Sequence, residues 1–234
     1  MIDYHSHILP GLDDGCQSVE EAVEMAKHLR KAGFTRIYCT PHCITGLYDI
    51  STEQLLDSVA RLQMILEDND IPLTLLPGME YYIDDFFVDR LESPVTLGDS
   101  KLLLFELPFN ADVAILQDAV LQIKSRGMQP VMAHPERFFA PRMRKGPADY
   151  IRMLWRGIKS REDHSLDLPA SLLQAVDLGC SLQANMGSFN GIYGKEVQQL
   201  ANMLRELGMY SYYGSDGHNC AQLKMILNDN ICLT

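Results

Sequence analysis

The sequence predicts an α/β protein in which strands and helices alternate along one domain, residues 1–234. Seven short segments have the character of strands, and each is followed by a stretch of helical periodicity. The apolar run from Leu102 to Phe105 is typical of a parallel strand that is buried on both faces. Repeated strand–helix units imply a parallel sheet, and seven of them favour closure into a barrel.

The elements follow from local patterns taken in order. The strands are predicted over 2–5, 36–39, 73–79, 102–106, 130–133, 181–185 and 210–213. The helices are predicted over about 19–32, 52–69, 84–91, 113–126, 149–159, 170–178 and 195–207, with a short helix after residue 218. Capping residues mark two of the helix starts, namely Ser18 and either Ser51 or Thr52.

Composition excludes several classes of protein. A net charge of -11 argues against nucleic acid as the main partner, because phosphate backbones require clustered Lys and Arg. The chain contains no run of about 18 apolar residues, so no membrane insertion is expected. The first residues lack the features of a secretory signal, which predicts a cytoplasmic protein. The six cysteines form no Cys-x-x-Cys pair and are predicted to be free thiols.

Histidines and acids recur where the predicted strands end. His5 and His7 are two residues apart, so extended backbone places both imidazoles on one side. The carboxyl ends of the strands of a parallel barrel share one face, where active sites are built. The residues expected to converge there are His5, His7, Asp14, His42, Glu80, Glu106, His134, Asp216 and His218.

Each of these residues alone has an ordinary structural explanation as a hydrogen-bonded polar group. Glu106 is the hardest to explain in this way, because it directly follows four apolar residues. Taken together, they predict a site for two or three metal ions. Imidazole and carboxylate ligands without thiolate suit Mn, Fe, Co or Zn. Closely spaced ions favour hydrolytic phosphoryl transfer, in which Arg137 would bind phosphate oxygens; a surface salt bridge is the alternative role for Arg137.

Five sequence motifs carry a resemblance to a known family. They are His5-Ser6-His7 with Asp14, Thr40-Pro41-His42, Gly78-Met79-Glu80, His134-Pro135-Glu136-Arg137 and Ser215-Asp216-Gly217-His218. Together they resemble the polymerase-and-histidinol-phosphatase (PHP) superfamily. The segments 5–15 and 134–137 are similar to the bacterial capsule-type protein-tyrosine phosphatases of the CpsB/CapC and YwqE kind.

The resemblance implies a distorted (β/α)7 barrel of the PHP type with a trinuclear site, usually described with manganese. It implies a first ion on His5, His7, Glu80 and Asp216, a second on Glu80, Glu106 and His134, and a third on Asp14, His42 and His218. Arg137 matches the phosphate-contacting arginine of the family. The implied substrate is the phosphotyrosine-bearing tail of a bacterial tyrosine kinase that controls capsule or exopolysaccharide synthesis.

Two questions stay open at this point. Residues 141–171 are predicted to be an insertion, and the Lys and Arg residues between 137 and 161 form either a solvated basic helix or a rim that attracts an acidic phosphopeptide. The alternatives to a tyrosine phosphatase are a small-molecule phosphoesterase, such as a histidinol-phosphate phosphatase, and a non-catalytic regulator that binds the kinase tail. The oligomeric state is not predicted.

Overall fold

The computed structural model describes residues 1–109, 111–142 and 168–227. The strands are β1 (Ile2–Ser6), β2 (Arg36–Cys39), β3 (His42–Cys43), β4 (Thr74–Pro77), β5 (Glu80–Tyr82), β6 (Leu102–Glu106), β7 (Gln129–Ala133), β8 (Ser181–Asn185) and β9 (Tyr210–Gly214). The helices are α1 (Val19–Lys31), α2 (Thr52–Asp68), α3 (Phe87–Arg90), α4 (Ala114–Ser125), α5 (Pro135–Phe139), α6 (Ala170–Asp177), α7 (Met186–Phe189), α8 (Lys195–Glu206) and α9 (Cys220–Leu227), with a 3-10 turn at Ala140–Arg142.

All strand pairs between these segments are parallel, and the segments form two sheets. The sheet orders are β1-β2-β4 and β3-β5-β6-β7-β8-β9. Only two residues separate β2 from β3, and two more separate β4 from β5. The prediction over 36–39 matches β2, and the short segments β3 and β5, which follow β2 and β4, belong to the second sheet, so the chain passes from one sheet to the other at both places. The predicted strand over 73–79 is corrected to β4 and β5, because the chain breaks at Gly78 and Met79.

The last strand returns to the first and closes the ring. The amide of Asp216 donates to the carbonyl of His5 at 2.7 Å, and the amide of His7 donates to the carbonyl of Gly217 at 3.1 Å. Ser6 and Gly217 form a parallel bridge. The fold is thus a distorted α/β barrel, which confirms the predicted fold class.

Side chains fill the interior of this barrel below the carboxyl ends of the strands. Leu104 and Val131 belong to a small buried cluster against which Tyr4 and Tyr212 pack. The rings of Tyr4 and Tyr212 lie 4.7 Å apart between centroids. Leu103 and Phe105, on the other face of β6, belong to the larger core beneath the helices. The apolar run of β6 is therefore buried on both faces, as its sequence predicts.

The helices begin where their capping residues predict. The Ser18 hydroxyl accepts a hydrogen bond from the Glu21 amide at 3.2 Å. Ser51 and Gln54 form a complete capping box at the start of α2. The predicted helix over 84–91 is shorter than expected, since only Phe87–Arg90 is helical. The predicted helix over 149–159 and most of the predicted insertion at 141–171 lie outside the described residues.

Two composition-based predictions can also be compared with the described part of the chain. None of its helices is long and apolar enough to cross a membrane. Its five cysteines are free thiols, as predicted, and Cys232 lies outside the described residues.

Candidate metal centre

The strand ends bring all nine predicted histidines and acids together at one face of the barrel. They form four overlapping groups, within each of which the possible ligand atoms lie within 4.8 Å of one another. The groups are His7, Asp14, His42 and His218; His5, His7 and Asp216; His5, Glu80 and His134; and His42, Glu80 and Glu106.

Glu80 lies at the centre of this cluster and belongs to two of its groups. Its Oε1 atom is 3.0 Å from Nε2 of His134. Its Oε2 atom is 3.2 Å from Nε2 of His5 and 2.9 Å from Nδ1 of His42. The two carboxylate oxygens thus face different imidazoles, which is the arrangement required of a carboxylate that bridges two ions.

His5, His7 and Asp216 form the deepest group. The Nε2 atoms of the two imidazoles are 3.0 Å apart. Oδ1 of Asp216 lies 3.3 Å from Nε2 of His7 and 3.5 Å from Nε2 of His5. All three side chains are almost fully buried, so their polar atoms converge on one small volume away from solvent.

The group at the mouth of the site is more exposed. Oδ1 of Asp14 is 3.5 Å from Nε2 of His42 and 3.6 Å from Nε2 of His218. The Asp14 side chain is 55% exposed. This group therefore forms the solvent-facing edge of the cluster.

Two residues that the sequence pattern does not indicate orient the buried imidazoles of His5 and His7. Oδ2 of Asp13 accepts a hydrogen bond from Nδ1 of His7 at 2.7 Å. Oε1 of Gln183 accepts one from Nδ1 of His5 at 2.9 Å, while the Gln183 amide nitrogen donates to a backbone carbonyl. Acceptors at Nδ1 leave both Nε2 lone pairs directed into the cluster, as metal-binding histidines require. Asp13 and Asp14 are adjacent acids, and nothing in the sequence distinguishes the one that positions His7 from the one that faces solvent.

Charges within the cluster lower the pKa of the carboxyl groups of Glu80 and Asp216 and raise the pKa of His42. Burial opposes ionisation of Glu80 and Asp216, but the facing histidines outweigh it and lower the pKa of both carboxyl groups well below their usual range. Burial likewise opposes protonation of His42, but Glu80 and Glu106 raise its pKa to about 10. Without metal, a proton on His42 therefore supplies positive charge that a bound cation would otherwise supply.

Backbone geometry near the cluster is unusual at two of the nine residues. His134 has φ of +33° and Asp216 has φ of +52°. Such conformations cost roughly 1–3 kcal/mol each and concentrate at functional sites.

Two positions beside the cluster require glycine, because a histidine of the cluster lies too close to leave room for a Cβ. A Cβ on Gly15 would lie 2.4 Å from Cβ of His7, and one on Gly214 would lie 2.4 Å from Cβ of His5.

Arg137 lies at the edge of the cluster, and its ion pair is with a member of the site. Its Nη1 donates to Oδ2 of Asp216 at 2.6 Å, and the side chain is 37% exposed. The guanidinium lies 4.6 Å above the ring of Tyr193, which holds its plane in place. The Nδ2 atom of Asn185 also donates to Oδ2 of Asp216, at 2.7 Å.

The donor set is one that could hold metal ions, and one further feature supports this interpretation. Among the described residues, the buried Oε2 of Glu80 and Nδ1 of His42 lie 2.9 Å apart but do not form a hydrogen bond of good geometry. A buried carboxylate oxygen without a hydrogen bond is costly unless a cation compensates it. Nitrogen and oxygen donors without thiolate fit Mn, Fe, Co or Zn.

A parallel α/β barrel with clustered imidazoles and carboxylates at its strand ends defines a barrel metalloprotein. The chain belongs to the CpsB/CapC family of capsular polysaccharide synthesis proteins, whose model matches residues 1–157. It is 31% identical over 221 residues to the tyrosine-protein phosphatase YwqE of Bacillus subtilis, covering 94% of this chain and 78% of YwqE. It is 26% identical to the putative tyrosine-protein phosphatase CapC of Staphylococcus aureus, covering 98% of this chain and 83% of CapC.

Comparison with solved structures agrees with this family assignment. A chain from the crystal structures of YwqE from Bacillus subtilis and CpsB from Streptococcus pneumoniae, described as metal-dependent tyrosine phosphatases, has a TM-score of 0.76 at 31% identity. That match covers 95% of this chain and 81% of the other. The putative histidinol phosphatase HisK of Listeria monocytogenes has a TM-score of 0.54 at 14% identity and covers 95% of this chain and 97% of its own. The latter match shows the fold alone.

Proposed function

We propose that this protein is a metal-dependent phosphatase that hydrolyses phosphotyrosine, with a bacterial tyrosine kinase of capsule or exopolysaccharide synthesis as its substrate. The observation that carries the proposal is the convergence of nine imidazole and carboxylate side chains, with Arg137 at their edge. The family match and the names of the relatives support it.

The proposed ligand sets follow the resemblance and coincide in part with the four groups of close ligand atoms. His5, His7, Glu80 and Asp216 would hold one ion. Glu80, Glu106 and His134 would hold a second. Asp14, His42 and His218 would hold a third. Mn²⁺ is the proposed metal, with Fe, Co or Zn as alternatives. When bound, closely spaced ions supply Lewis acidity and a water of lowered pKa.

The protein's own residues bind and orient the phosphoryl group beside this centre. Arg137 would donate to equatorial phosphate oxygens through the part of its fork that Asp216 does not use. Asp13 and Gln183 keep the His7 and His5 imidazoles in one tautomer. A phenol with a pKa near 10 is a better leaving group than an alkyl alcohol, so a strong general acid is less necessary for an aryl ester.

The test is hydrolysis by manganese-loaded protein of a phosphotyrosine peptide, with histidinol phosphate and a phosphoserine peptide as comparison substrates. The expected result is a clear preference for the phosphotyrosine peptide, lost on addition of a chelator. Preference for histidinol phosphate would assign a small-molecule phosphoesterase instead. Absence of turnover with tight binding of a kinase-tail phosphopeptide would assign a regulator.

A variant of Arg137 tests its role separately from that of the ligands. Replacement of one donor to developing charge costs on the order of 100-fold or more in kcat, and this is expected for Arg137→Ala with metal content retained. Arg61→Ala removes a surface arginine whose side chain is 75% exposed and is the matched control. Full activity of Arg137→Ala would contradict the assigned role.

A further inference from the structure

An aromatic-lined cavity adjoins the metal cluster on the side of Glu106, His134 and Arg137. Its volume is about 220 Å³, and these three residues form its polar end. Tyr82, Phe109 and Phe138 line its apolar part. The cavity thus joins a phosphate-binding edge to an aromatic wall.

The strands explain how a ring-lined wall comes to lie beside the ligands. Glu80 and Tyr82 are two residues apart on β5, so they project from the same face of the strand. Tyr82 is in register with Glu106 on the neighbouring β6. Phe109 follows three residues after Glu106, and Phe138 follows Arg137 directly. Each aromatic residue of the wall is therefore a near neighbour of a residue at the polar end.

The two phenylalanines of the apolar part differ in exposure. Phe138 is buried and meets the ring of Phe139 edge-on at 4.9 Å between centroids, so it forms a fixed base. Phe109 is 70% exposed, although it is a large apolar side chain next to a polar site. Single exposed apolar residues are common, and this one lines a cavity whose polar end is formed by residues of the cluster and Arg137.

We propose that this cavity binds the aromatic ring of the phosphotyrosine substrate, and that Tyr82 and Phe109 determine the preference for aryl over alkyl phosphate esters. The inference rests on the proposed function, since the phosphate must lie at the adjoining centre. A cavity of about 150 Å³ is enough for benzene in an engineered protein core, so about 220 Å³ admits a phenyl ring. Offset or edge-to-face contacts with Tyr82 and Phe109 would stabilise that ring, and an alkyl ester gains neither contact.

The experiment compares two non-hydrolysable ligands on the manganese-loaded protein, phenylphosphonate and methylphosphonate, by calorimetry. Both present a phosphonate to the polar end, and only the first carries a ring. The wild-type protein is expected to bind phenylphosphonate more tightly. Phe109→Ala is expected to weaken phenylphosphonate binding about three- to tenfold, the worth of one aromatic pair, and to leave methylphosphonate binding unchanged.

Three further variants make the measurement specific. Tyr82→Phe keeps the ring and is expected to bind as the wild type does, whereas Tyr82→Leu is expected to lose affinity for phenylphosphonate alone. Phe86→Ala removes another exposed phenylalanine that does not line the cavity and is the matched control. Equal affinity of the wild type for the two phosphonates, or equal losses for both in Phe109→Ala, would overturn the proposal. Binding is measured without turnover, so absence of phosphotyrosine hydrolysis would count against the proposed function and not against the ring site.

Discussion

Asp13 provides the sharpest test of how the metal cluster is oriented. Its Oδ2 accepts from Nδ1 of His7 at 2.7 Å and from the amide of His42 at 2.9 Å. Its Oδ1 accepts from the amide of Gly15 at 2.9 Å. The carboxylate therefore satisfies three donors, and Asp13→Asn replaces one acceptor oxygen by a donor whichever way the amide is turned.

The size of the effect follows from this count. In Asp13→Asn, the side-chain oxygen can face His7 and His42, and the NH2 group then faces the Gly15 amide, which loses its acceptor. In the other orientation, the NH2 group faces His7 and His42, and both of these donors lose their acceptor. Each buried donor left without an acceptor costs about 1–3 kcal/mol. Loss of an outer partner of a ligating histidine typically weakens metal affinity about 10- to 100-fold. We expect Asp13→Asn to shift the manganese dependence of activity by that factor, with turnover largely recovered at saturating metal.

The assay is a manganese titration of phosphotyrosine peptide hydrolysis, with bound metal measured in parallel and the melting temperature as a check on folding. Asp118→Asn makes the same chemical change at an exposed position on α4 and is the control. An unchanged half-saturating metal concentration in a folded Asp13→Asn protein would refute the positioning role of Asp13. A loss of kcat at saturating metal would assign it a direct part in the reaction.

Two other expectations follow from the same geometry. Gly214→Ala places a Cβ 2.4 Å from that of His5, and such overpacking should cost about 1–3 kcal/mol of stability and lower metal content as well. Gly11→Ala, where no atom lies within 4 Å but φ is +69°, should lose stability and keep its metal; equal metal content in the two variants would contradict this reasoning. The pKa of His42, about 10 in the metal-free protein, means that at pH 7 its proton must leave before it can bind metal, so affinity should rise as pH rises towards 10. Calorimetry in two buffers of different ionisation enthalpy should detect that proton release, and metal binding without it would contradict a protonated His42 in the metal-free protein.

The sequence by itself determined the strand–helix alternation, because apolar runs, capping serines and glycines act locally. It also identified the nine polar residues at the strand ends, since the parallel arrangement of the strands brings their carboxyl ends to one face. Helix α3 was predicted too long. Strand 73–79 was predicted as continuous, because the chain passes from one sheet to the other between β4 and β5, and a local pattern does not contain that junction.

Only the tertiary structure decided which side chain supports which ligand. Asp13 and Asp14 are adjacent in sequence, yet one is buried against His7 and the other is exposed at the mouth. Gln183 contacts His5 across 178 positions of the chain, and the guanidinium of Arg137 lies over the ring of Tyr193, which belongs to a different segment. The aromatic cavity likewise combines residues from β5, the segment after β6 and α5. Such contacts depend on the closure of the barrel, which brings distant segments together at distances that no local sequence pattern specifies.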